Sequence, residues 1–151
     1  MAIAGIRHSF KFGDKMTQYK SHLKVIDSQI LDLLLENYRA QLFAIYSIGT
    51  VTSTIDFFLQ VKNAFPLDPP ISGQIRWQSL SDSLWNGLRD CGKSRIVLAM
   101  RDATGFQKDF TQDFEHAIYL MNSVSSDVEL QNRIEGIPNS QIIVVVGLTG
   151  V

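Results

Sequence analysis

The sequence predicts an α/β fold in which helices pack against a three-stranded parallel sheet. Three observations carry this expectation. First, three apolar runs stand out: QLFAIYSIG at 41–49, RIVLAM at 95–100 and QIIVVVG at 141–147. They contain β-branched or aromatic residues and are bounded by turn signals, the mark of strands. Second, RIVLAM and QIIVVVG are continuous rather than alternating, as expected for strands covered on both faces. Third, helical periodicity fills the stretches between the runs. Strands separated by helices require crossover connections and hence a parallel sheet, with right-handed crossovers.

Each element has its own signal. Residues 1–20 show weak periodicity, two glycines and scattered charge, and predict an irregular arm or edge element. Over 22–38, Leu23, Ile26, Ile30, Leu33, Leu34 and Asn37 share one helical face and predict an amphipathic N-terminal helix. After the first strand, Ser53 and Asp56 have capping-box spacing. Ile55, Phe58, Leu59 and Lys62 then form the inner side of a helix, with Val61 and Phe65 beside them, and Pro66 ends it. Asp68, Pro69 and Pro70 hold an extended loop that Ser72 and Gly73 complete. A helix over 74–91 follows, with Trp77, Leu80, Leu84, Leu88 and Cys91 on one stripe. Asp82, Asn86 and Arg89 lie on a second face, with Trp85 between the two. After the strand 95–100 and a polar loop, Phe110, Phe114, Ala117, Ile118, Met121 and Val124 give the clearest helical period in the chain. A short helix is expected at 127–134, then a turn at Pro138, Asn139 and Ser140, and the last strand.

Composition narrows the function. The chain has 151 residues, 45% hydrophobic and 19% charged, the composition of one globular domain spanning 1–151. Fourteen Lys and Arg against fifteen Asp and Glu give a formal charge of -1, which excludes a strongly basic nucleic-acid binder. The single cysteine cannot form an internal disulfide, and Arg7, His8, Lys11 and Asp14 interrupt any signal-peptide core. No apolar run reaches the roughly 20 residues needed to cross a bilayer. A cytoplasmic, soluble protein is expected.

Catalytic signals are few. Gly87, Gly92, Lys93 and Ser94 in GLRDCGKS satisfy the phosphate-loop pattern. Its mechanics need a strand before and a helix after, whereas here a helix precedes and a strand follows. Gly92 reads instead as a helix stop. His8, His22 and His116 are far apart and have no ligand spacing with Cys91, so no metal site is expected. No serine sits in a nucleophile elbow. Asp109, Asp113 and Glu115 read as a solvated helix start. An enzyme is not expected.

The helix 79–91 carries a resemblance. SLSDSLWNGL is similar to the second-helix signature of the barstar family of ribonuclease inhibitors, roughly L-D-x-L-W-D-x-L, with Asp82, Leu84, Trp85 and Leu88 at matching positions. The order of elements agrees over residues 40–147: a strand, a helix ending in AFPL (64–67), a loop, the signature helix, a strand ending in Arg101 and Asp102, a long helix and a final strand. Residues 1–39, with their amphipathic helix, extend beyond the family pattern.

The resemblance implies a barstar-like three-stranded fold and an intracellular immunity protein or antitoxin of bacterial competition. Such a protein blocks a cognate ribonuclease toxin stoichiometrically, without cofactor and without touching nucleic acid, and is monomeric when free. Carboxylates of the helix and the loop before it would stand in for the substrate phosphate against the nuclease's cationic residues. The implied partner-binding patch is Trp77, Asp82, Trp85 and Asn86, with Asp90 beside them. Asp127 is the counterpart of an acidic residue on the family's third helix. Two positions depart: Asn86 replaces an acidic residue and Arg76 an aromatic one. An amide can hydrogen-bond but cannot neutralise a buried cation. A second expectation, from residues 22–38, is an assembly subunit that associates through its amphipathic helix.

Overall fold

The computed structural model describes residues 22–72 and 74–151. The expected N-terminal arm lies outside the described residues. The elements run β1 (Leu23–Asp27), α1 (Leu31–Ala40), β2 (Ala44–Thr50), α2 (Thr54–Ala64), α3 (Trp77–Asp90), β3 (Arg95–Asp102), α4 (Thr104–Asp109), α5 (Thr111–Ile134) and β4 (Gln141–Leu148). The α/β class and the parallel sheet are as the sequence predicts. The sheet, however, has four strands rather than three, in the order β1-β4-β3-β2, and every pairing is parallel.

The extra strand comes from the stretch expected to be a helix. In LKVID, Leu23 and Val25 are buried and Lys24 is exposed, the two-residue period of a strand. The apparent helical face arose because this alternation runs directly into a true helix. That helix, α1, is rotated from expectation. It buries Leu31, Leu35 and Tyr38, whereas Ile30 and Leu33 are 48% and 73% exposed. Residues 23–27 are therefore built into the sheet, and the helix of this stretch is confined to residues 31–40.

Alternation along the central strands divides the core into two layers. Ile96, Leu98 and Met100 of β3, with Ile142, Val144 and Val146 of β4, face one side. They pack there with Phe57 and Val61 of α2, Leu80, Leu84 and Leu88 of α3, Phe106 of α4 and Phe114 and Ile118 of α5. Val97, Ala99, Ile143 and Val145 face the other side, under Leu31, Leu35 and Tyr38. Among the described residues, one helix thus covers one face and four cover the other.

Smaller differences have local causes. The first predicted strand begins three residues late, because Gln41 to Phe43 form a turn with Leu42 at φ 71°. Ser53 caps α2 by accepting from the Asp56 N–H at 3.0 Å, as its spacing predicts. The Asp56 carboxylate turns to the Thr52 N–H at 2.9 Å. Residues 104–109, expected as loop, form α4, and the two expected helices beyond them are one helix, α5. Among the described residues no helix is long and apolar enough to cross a membrane.

Candidate functional site

Helix α3 is fixed on three sides and open on the fourth. Leu80, Leu84 and Leu88 anchor it in the core, as the stripe predicts. The segment after α2 lies across its middle, where the Asp68 N–H donates to the Ser83 carbonyl at 2.9 Å. Gly87 makes this approach possible: a Cβ there would stand 2.0 Å from the Pro66 carbonyl oxygen. At its far end Arg89 pairs with Glu135, beyond the end of α5, at 2.7 Å. This also takes Arg89 off the open face.

The predicted contact residues separate into two groups. Asp82, Asn86 and Asp90 are exposed and, with Gln78, recur every fourth residue along the open side. The Asp82 carboxylate accepts from Gln78 Nε2 at 3.0 Å. No hydrogen bond or ion pair from another described residue engages Asn86 or Asp90. The stripe therefore presents two carboxylates that no cation among the described residues pairs.

The tryptophans face elsewhere. Trp77 is half-buried, stacked on His116 with ring centres 4.2 Å apart and edge-on to Phe58 at 4.9 Å. It serves as a wedge between α2, α3 and α5. Trp85 is half-buried against the main core, with the Arg89 guanidinium 5.3 Å from its ring centre. Its remaining surface flanks the polar stripe. Asp127 is exposed on α5.

Sequence reading missed a surface beside this helix. Ile55 and Leu59, placed in the core by their spacing, are 62% and 52% exposed. With Phe58, Ile71 and Ile75 they line an apolar groove of about 450 Å³, with Lys62 at its rim. A second hollow of about 270 Å³ shares Ile71, Ser72 and Gln74 with the groove and reaches Arg76 and Ser79 at the start of α3. Arg76 is held by Gln74 at 2.8 Å. The second hollow therefore carries the apolar groove as far as the start of α3. The only available signal was that α2 carries two apolar faces, and the sequence does not say which is covered.

The phosphate-loop match is resolved by position. Gly87 lies inside α3, and Gly92, at φ 77°, follows its C-terminus and leads into β3. Among the described residues no group of three or more His, Cys, Asp or Glu side chains is placed to hold a metal ion. No protein-family model, curated protein or solved structure matches the chain.

Proposed function

We propose that this chain is a barstar-like immunity protein that binds a cognate ribonuclease and covers its active site with the open face of α3. The observation that carries the reading is the Gln78, Asp82, Asn86 and Asp90 stripe. A helix held by core, loop and salt bridge displays carboxylates that no ion pair with a described residue engages. Fixed carboxylates of this kind suit the catalytic cations of a nuclease, and their pre-set geometry lowers the entropy cost of binding.

The apolar groove beside α3 supports a macromolecular partner. Contiguous exposed apolar surface rimmed by polar residues marks interaction sites. Because Trp77 is spent on the core, the groove also offers the apolar anchor that tight interfaces concentrate near their centre. Asn86 in place of a carboxylate shifts the balance in the same direction, from charge toward burial. The alternative, assembly through the N-terminal amphipathic helix, would have to use the exposed Ile30 and Leu33, since residues 23–27 form a strand and the inner face of α1 lies on the sheet.

The test is affinity capture from the source cells with the wild-type chain and with Asp82→Lys in parallel. Nuclease activity is then assayed in the eluate before and after denaturing release. A partner that is silent in the complex, nucleolytic when freed and depleted in the Asp82→Lys eluate supports the reading. An eluate that gives no nuclease activity on release refutes it.

A further inference from the structure

The turn that cannot act as a phosphate loop of the strand–turn–helix kind has another use. Gly92, Lys93 and Ser94 line a surface hollow of about 470 Å³ whose other walls include Arg39, Phe43 and Arg95. Three cationic side chains converge there, and no carboxylate is among the lining residues. The overall charge of -1 hides this local segregation.

The cations differ in how they are held. Arg95 is fixed, donating to the Gln41 carbonyl at 2.8 Å while its guanidinium lies 4.3 Å from the centre of the Phe43 ring. Neither contact neutralises it. Arg39 pairs with Glu36 along α1. Lys93 is exposed and has no ion-pair partner among the described residues. The backbone adds donors. Cys91 has right-handed helical angles (φ -73°, ψ -8°) and Gly92 has φ 77°. A right-handed residue followed by a left-handed one turns successive N–H groups into one anion-binding concavity. One of the three following amides closes the hydrogen-bonded turn at Cys91 onto α3, and no described acceptor outside α3 takes the amides of Gly92, Lys93 or Ser94. The C-terminus of α3 opposes an anion with about half a negative charge. Lys93 and Arg95, which no described carboxylate pairs, exceed that, and the Glu36-paired Arg39 adds a donor.

We infer that this hollow binds a phosphate group, held by Lys93, Arg39 and Arg95 and by the amides of the Gly92–Ser94 turn. The inference is independent of the nuclease partner. Two sources share this chemistry, a small phosphorylated molecule and the backbone of an RNA strand. The full chain, labelled with ¹⁵N, is titrated with inorganic pyrophosphate and, separately, with a short single-stranded RNA.

Saturable shifts are expected in the amides of residues 39–44 and 92–95. Affinity is expected to fall at least about tenfold in Lys93→Glu, with loss of a charge-assisted contact, and to survive in Lys93→Arg. Both variants are exposed and leave the fold's core untouched. Tighter binding of pyrophosphate assigns the small-molecule source. Tighter, steeply salt-dependent binding of RNA assigns the strand. Shifts absent from these segments in both titrations, or Lys93→Glu binding as wild type does, would overturn the proposal.

Discussion

Two positions, Gly87 and Glu115, illustrate how much single atoms decide. At Gly87 the added methyl of an alanine would meet the Pro66 backbone, which has no rotamer to yield. Gly87→Ala is therefore expected to destabilise the fold by about 1–3 kcal/mol, despite alanine's better helix propensity, as measured by urea denaturation. Glu115 provides the pH counterpart. Burial raises its carboxyl above the ordinary 4.5. The folded state thus favours the protonated acid. Its contribution to stability is full below the unfolded value and is lost as pH rises through the folded one. Glu115→Gln should remove that component of the decline, seen as a flatter melting temperature against pH just above 4.5 than in wild type. Neither effect is legible in the sequence. Gly87 looks like an ordinary flaw in a helix, because its reason lies twenty-one residues upstream at Pro66.

At the scale of elements, α3 was the most legible part of the chain. Its core stripe and open stripe both follow from 3.6-residue periodicity, and Leu80, Leu84 and Leu88 fall where the pattern puts them. Legibility failed where two apolar faces share one helix, as in α2, or where a strand abuts a helix, as in β1 and α1. The two tryptophans show a further limit. Aromatic residues serve cores and interfaces equally, and only packing separates them. The separation can be measured. Trp77→Ala should cost about 3–5 kcal/mol of folding stability, since it removes a wedge between three helices. Asp82→Lys should stay within about 0.5 kcal/mol in the same denaturation while losing partner capture. Equal effects of the two substitutions on stability would mean that the open stripe is structural after all.

The whole molecule depends on the region that looked like an extension. β1 pairs only with β4, and α1 is the helix over Val97, Ala99, Ile143 and Val145. Those four side chains are at most 3% exposed in the intact structure. A chain beginning at residue 41 would present them to water together with a new sheet edge. It is expected to lose cooperative unfolding and bind a hydrophobic dye, measured by thermal melting and dye fluorescence. A truncated chain that melts as sharply as the full one would show that a three-stranded core suffices. Four strands could not be counted from sequence, because LKVID is short and merges into the periodicity of the next helix.

The strand order also sets a timetable for the ribosome. β1 is made before the other described strands, yet its register partner for Leu23 is Val144. A long loop must close before that pairing can form, which slows folding and leaves early segments waiting. Until β4 emerges, β1 has no neighbour and the inner edge of β3 is unpaired. The nascent sheet is therefore most open to proteases and chaperones until β4 is made. The sheet is completed in one step, when β4 takes its place between two strands made before it.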